Sequence, residues 1–469
     1  MSTKLDRQVN NLRATLILFW VIFLGGCQLM REMPYGNGFI AKNLCSGVFV
    51  SDIDPEILKS DYLGPAVKPL NYLWKIDIDE ELKIVTVSDW LFPGQHQQKS
   101  YYRKGMGCTL LKDVTPEMLD YQSPTLLKTA STHQNSPAQR YGQLQSRHLN
   151  VDSNKLTQAI DKAFAEPYEH KRQTAAVVVL YNNQLIAERY SEHIDADTRL
   201  MGWSMSKSVI GALIGMLQDR AIINVKQVAP VPEWQNSDKR AITIENLLHM
   251  SSGIDYAEKS RGPNADQSRM LYEYQRFSDY LTAQSVIATP GTHFNYSTAD
   301  TMMLSRILQD SLGGKPADSY RFIHEELFFP LGINDAVLEY DASGQPAGGS
   351  YLLMKPRDWA KLGLLHLRDG DWFGEQIISK EWIDYATTPS ADKATYGAHL
   401  WLNTNQSLWS KIPADAYGFM GYQRQRLVIV PSRQLVVLRM GFSYEKGDDQ
   451  IDELVSDIMA ALPENFVKY

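Results

Sequence analysis

Two stretches of β-branched and aliphatic residues bracket the second half of the chain, each broken once by a short polar turn. Residues 175–181 and 184–190 flank Asn182-Asn183 and predict a β-hairpin. Residues 426–430 and 434–439 flank Pro431-Ser432-Arg433 and predict a second one, followed by a helical pattern over 451–459. Helical segments fill the space between. Strands at both ends of a helical centre predict an α+β architecture, with one antiparallel sheet formed by the N- and C-terminal strands of that domain and a helical subdomain beside it. Upstream, residues 41–111 read as strand-rich, with 47–50 and 84–87 as alternating or β-branched runs. The segment 122–153 is rich in Gln, Ser, Asn, His and Pro and reads as a polar linker. The chain therefore divides into a small β-rich N-terminal module over 27–121, the linker, and a larger domain over 154–469.

The first 26 residues form a different pattern. Lys4, Arg7 and Arg13 precede the apolar run 15–24, which ends in Gly25-Gly26-Cys27. The run is shorter than the ~20 residues of a spanning helix and closes on small residues, as a cleavable export signal does. Leu24-Gly25-Gly26-Cys27 resembles a bacterial lipobox. That resemblance implies cleavage before Cys27, lipidation of its thiol, and a membrane-anchored, periplasm-facing place in a bacterial cell envelope; Gln28 after the cysteine permits sorting to the outer membrane. An uncleaved anchor is the alternative. With Cys27 lipidated, Cys45 and Cys108 remain, and an even remainder in an exported protein points to a disulfide, two free buried thiols being the alternative.

At 469 residues and 44% hydrophobic content the chain can bury a large core. A net charge of −7 gives no global basic footprint, and neither a zinc-finger nor a glycine-rich phosphate motif is present, which argues against nucleic acid as a partner. His324-Glu325-Glu326 lacks a second histidine at metal-ligand spacing, and Gly202-Trp203-Ser204-Met205-Ser206 lacks the second glycine of a Ser-His-Asp nucleophile elbow. Neither a metal nor another cofactor is expected.

Candidate chemistry rests instead on serine and lysine three residues apart, a spacing that puts both side chains on one face of a helix. The pattern occurs at Ser204/Lys207, Ser390/Lys393 and Ser443/Lys446. The last two lie in polar or post-strand segments and read as surface loops. Ser204 alone opens an apolar run, 208–217, that predicts a core helix. At the mouth of such a helix the dipole and the unpaired N–H groups favour an alkoxide nucleophile and an oxyanion. A lysine base must be neutral near pH 7, which burial against the apolar helix achieves. The competing reading makes Ser204 a plain helix cap and Lys207 a solvated first-turn residue.

Further elements follow in order: 243–254, a leucine-bearing helix ending Ser252-Gly253; Phe294-Asn295-Tyr296-Ser297-Thr298; and Tyr417-Gly418-Phe419-Met420-Gly421-Tyr422, a glycine-bearing edge strand. Together with Ser204-Met205-Ser206-Lys207 they resemble the β-lactamase-related serine hydrolases, the group of class C β-lactamases, DD-peptidases, esterases and 6-aminohexanoate-dimer hydrolases, over roughly residues 173–462. Residues 202–207 and 357–365 are most similar to the hydrolase and esterase branch. The resemblance implies Ser204 as acylated nucleophile, Lys207 as its base or the modulator of that base, Tyr296 as proton relay to the leaving group helped by Lys207, and the backbone N–H groups of Ser204 and Tyr422 as the oxyanion hole. Thr298, Asp255, Tyr256, Gly421 and Arg424 are further candidate substrate-binding positions, with a satisfied loop hydroxyl at Thr298 and a solvated loop at Asp255 and Tyr256 as the alternatives.

Two departures bear on substrate. Tyr-x-Asn of β-lactamases is Tyr296-Ser297-Thr298 here, and Lys-Thr-Gly is Phe419-Met420-Gly421, without the cation and hydroxyl that would hold a β-lactam or peptide carboxylate. The expectation is a cell-envelope serine hydrolase acting on a small ester or amide. A β-lactamase or DD-peptidase, with Arg424 or Arg426 supplying the cation, and a lipid-anchored binder of cell-wall peptide without catalysis are the alternatives.

Overall fold

The computed structural model describes residues 30–127, 149–166, 172–258, 265–444 and 450–463. Its organising element is a six-stranded antiparallel sheet in the order Trp401–Leu402, Tyr417–Gly421, Gln425–Val430, Leu435–Gly441, Thr174–Tyr181, Gln184–Tyr190. The last strands of the chain thus pair with the first strands of the larger domain: Leu435 opposes Tyr181, and Leu438 opposes Val178. Both expected hairpins are present. Asn182 and Asn183 take φ of 49° and 63°, the left-handed conformation that lets a two-residue turn follow the twist of its strands and that asparagine tolerates best after glycine.

Strand side chains alternate between two cores. Val177, Val179, Val428, Val430, Leu435 and Val437 face the helices Ser153–Phe164 and Ile451–Ala461. The opposite face, including Val178, Leu438 and Leu427, packs on the helix Pro356–Leu367 and continues into the helical subdomain around Met205–Asp219 and Thr298–Ser311. This is the α+β arrangement anticipated. Strand Tyr417–Gly421 is not wholly an edge: Trp401 and Leu402 pair with its first half, opposite Gly418 and Tyr417.

The N-terminal region differs from the sequence expectation in one respect. Strands Trp74–Asp79, Ile84–Asp89, Gln98–Arg103 and Gly107–Leu110 form an antiparallel sheet, but residues 47–50, read as a strand, end a helix over 30–49. Local β-propensity loses there to tertiary packing. Ile40, Ala41, Leu44 and Cys45 are buried in the same core as the larger domain. Lys42 makes a fully buried ion pair with Glu339, whose carboxylate also accepts from Ser46 Oγ at 2.9 Å and from the Cys108 backbone N–H at 2.7 Å. The ionic group is therefore fully paired, the condition under which a buried charge is tolerated. Cys45 and Cys108 form the disulfide, fastening this helix to the small sheet. Of the expected linker, 128–148 lie outside the described residues, as do the signal segment 1–26 and Cys27.

Candidate active site

Ser204 stands at the N-terminal end of helix Met205–Asp219, yet its hydroxyl makes no capping bond to that helix. A capping serine would accept a backbone N–H of the first turn, so the capping alternative fails. Lys207 Nζ lies 2.8 Å from Ser204 Oγ instead. Lys207 is 1% exposed rather than solvated, and its amine also meets the Gly349 carbonyl at 2.7 Å and Thr298 Oγ1 at 2.9 Å. Burial lowers its pKa from 10.5 to about 8, against the opposing pull of the Glu258 charge. A useful fraction of the amine is thus neutral near physiological pH and able to accept a proton.

Tyr296 faces the same pair. Its ring centroid is 5.2 Å from Lys207 Nζ. Burial pushes its phenol well above the ordinary pKa, with Glu258 adding to the rise and a hydrogen bond with Ser204 opposing it. The phenol is therefore protonated. Contacts with Trp401 and Tyr396, at centroid distances of 5.4 and 6.0 Å, fix the ring.

The turn before Ser204 is held tightly. Trp203 takes φ of 50°, a conformation that costs a non-glycine residue about 1 kcal/mol or more and persists only where surroundings impose it. Its indole N–H donates to Gln423 Oε1 at 2.8 Å, and its ring lies parallel to that of Phe39 with centroids 6.3 Å apart. Gly421, at the end of the strand carrying the oxyanion candidate Tyr422, allows that strand against the turn: a Cβ there would come 2.2 Å from the Gly202 carbonyl oxygen.

A cleft of about 700 Å³ opens over these groups, lined among others by Ser204, Tyr296, Gly421 and Tyr422. Thr298 sits behind it, fully buried at the first turn of helix Thr298–Ser311. Asp255 is exposed, and Tyr256 is buried edge-on against Tyr280 rather than in the cleft lining. Arg424 also lies outside that lining, where Arg426 supplies the cation. Alternation would put residues 424 and 426 on one face; the left-handed φ of Gln423 and Arg424, just before the strand Gln425–Val430, takes Arg424 out of that pattern. Ser390 and Ser443 are in loops as expected but buried, not at the surface; Ser443 Oγ accepts from Arg439 Nη2 at 2.9 Å, and Lys446 lies outside the described residues.

Four contributors were not legible in the sequence. Glu258 accepts from the Thr298 backbone N–H at 2.9 Å and from Thr298 Oγ1 at 2.6 Å, linking a carboxylate to the lysine through one hydroxyl. Gly349 offers the carbonyl that anchors the amine. Tyr35 and Phe39, from the N-terminal helix, form part of the cleft wall. No spacing rule connects any of them to Ser204.

The family model described as Beta-lactamase matches residues 156–452. The chain is 24% identical over 256 residues to 6-aminohexanoate-dimer hydrolase of Paenarthrobacter ureafaciens, a match covering 52% of this chain and 62% of that relative, so the similarity spans under two thirds of the relative's length. Among solved structures, a family VIII carboxylesterase aligns with a TM-score of 0.54 at 16% identity, over 66% of this chain and 97% of that one. A penicillin-binding protein homologue from Caulobacter crescentus aligns at 0.53 and 15% identity, over 66% and 97%. At such identities these structures speak for the shared fold.

Proposed function

The chain belongs to the beta-lactamase family of serine hydrolases, and we propose that it cleaves a carboxylic ester or amide through an acyl-enzyme on Ser204. The observation that carries this reading is the 2.8 Å contact between Ser204 Oγ and a buried Lys207 amine with a pKa of about 8. Neutral Lys207 accepts the Ser204 proton as Oγ attacks the substrate carbonyl. The resulting oxyanion is held by the backbone N–H groups of Ser204 and Tyr422, at a helix N-terminus where the dipole favours negative charge. Tyr296, replenished from Lys207, donates a proton to the departing oxygen or nitrogen. Water then attacks the acyl-serine by the same route in reverse.

The substrate preference rests on the strand Tyr417–Gly421, whose Phe419-Met420-Gly421 brings no lysine or threonine to a substrate carboxylate. Arg426 is the observation that favours the second reading, a β-lactam or D-Ala-D-Ala peptide, because it gives the cleft a cation; Glu258 on the same lining works against an anionic substrate. The disulfide Cys45–Cys108 supports an exported protein, and a lipid anchor at Cys27 in the bacterial cell envelope is part of the proposal. Turnover of p-nitrophenyl acetate, nitrocefin and a D-Ala-D-Ala peptide by the purified protein tests it. Ester turnover exceeding the other two is expected. Dominant nitrocefin or peptide turnover would transfer the function to the second reading, and turnover of none would leave a non-catalytic binder.

A further inference from the structure

We propose that the N-terminal helix over 30–49 and the segment after it form an acyl-chain pocket, so that the preferred substrate carries an extended apolar acyl group rather than a short one. This rests on the serine hydrolase reading and specifies its substrate class. Beside the nucleophile, the cleft is walled by Tyr35, Phe39, Val67 and Leu70 from the N-terminal region and by Leu271 and Tyr272 from the helix Asp266–Glu273 opposite. These six side chains offer apolar or aromatic surface to a cleft whose volume is that of a drug-sized ligand, far more than an acetyl group fills.

The wall is built in. Phe39 stacks on Trp203, the residue immediately before Ser204. The backbone approaches are close: a Cβ at Gly36 would come 2.7 Å from Leu70 Cδ1, and one at Gly38 would come 3.1 Å from the Tyr272 ring. Tyr35 bonds through its hydroxyl to Glu273, tying the two walls together. Lower on the same helix, the buried Lys42–Glu339 pair and the Cys45–Cys108 disulfide fasten it to the body of the protein.

Which half of the substrate lies here follows from the two aromatic groupings. Tyr296, the proton donor to the leaving group, packs with Trp401 and Tyr396. Trp203 packs with Phe39, Tyr351 and Tyr422. The leaving group belongs to the first grouping, and the acyl chain, which stays on Ser204 through both steps, to the second. Apolar surface on that side rewards each buried methylene with about a fourfold gain in kcat/KM until the pocket is filled.

The test compares p-nitrophenyl esters from acetate to octanoate with n-alkyl acetates of matching length, in the wild-type protein and in Val67→Trp and Phe39→Ala. The wild type is expected to gain at least tenfold in kcat/KM as the acyl chain lengthens, and less as the alcohol does. Both variants are expected to lower the octanoate-to-acetate ratio at least tenfold. A flat or falling acyl series in the wild type, or a gain confined to the alcohol series, overturns the inference while the hydrolase reading stands. An unchanged ratio in folded variants also overturns it. Hydrolysis of no ester in either series overturns the inference, and if nitrocefin and the D-Ala-D-Ala peptide are not turned over either, the hydrolase reading falls with it.

Discussion

Thr298 Oγ1 lies 2.9 Å from Lys207 Nζ and donates its proton to Glu258 Oε1 at 2.6 Å. With that proton committed to the carboxylate, the hydroxyl offers a lone pair to the lysine. Glu258 thereby orients the hydroxyl that holds the Lys207 amine, and its charge also raises the pKa that burial has lowered. Replacing the charge by a neutral amide removes the rising contribution and leaves burial unopposed. Glu258→Gln is therefore expected to move the acid limb of the kcat/KM profile, set by Lys207 losing its proton near pH 8, to lower pH. A limb that stays in place or moves upward in the pH–rate profile contradicts this role.

Tyr296→Phe removes the donor and keeps the ring between Trp401 and Tyr396. Loss of a general acid typically lowers rate 10²- to 10⁴-fold. A fall of about that size in kcat for p-nitrophenyl butyrate is expected with an unchanged melting temperature. Unaltered turnover would remove Tyr296 from the mechanism.

Gly421→Ala would set a Cβ 2.2 Å from the Gly202 carbonyl oxygen. Backbone cannot rotate aside as a side chain can, so the strand and the nucleophile turn must separate, pulling the Tyr422 N–H off the oxyanion. Misplacing one such donor costs roughly 10²–10³ in kcat. Kinetics beside circular dichroism check this; a folded variant with wild-type kcat would show that the strand does not supply the donor.

Removing the disulfide frees a closed loop of sequence separation 63. Chain entropy assigns such a loop about 4 kcal/mol of stability. The Cys45→Ala/Cys108→Ala double variant is expected to shift its urea midpoint downward by an amount equivalent to most of that figure. A midpoint matching the wild type would contradict it.

How far the sequence carried the fold depends on whether the signal was local. The hairpin at Asn182-Asn183 and the apolar helix after Ser204 announce themselves because turn chemistry and periodicity act over a few residues. Ser204, Lys207, Tyr296 and Gly421 could be singled out because each sits in a short motif whose order is informative. Residues 47–50 misled because valine and phenylalanine fit a strand as well as a packed helix end, and only burial against the main core decides. Glu258 and Phe39 were invisible for a different reason: their proximity to Ser204 is created by chain closure, Phe39 from 165 positions upstream. The choice of Arg426 over Arg424 could not be read because strand alternation puts positions 424 and 426 on one face, and only the left-handed turn at Gln423 and Arg424 separates them.

The most direct test of the central claim is covalent labelling by a fluorophosphonate probe, followed by peptide mapping of the modified serine. Label is expected on Ser204, abolished in Ser204→Ala and slowed at least 100-fold in Lys207→Ala, as when a nucleophile loses the base that activates it. Label on another serine such as Ser390 or Ser443, undiminished label in Lys207→Ala, or a folded protein that takes no label would contradict it.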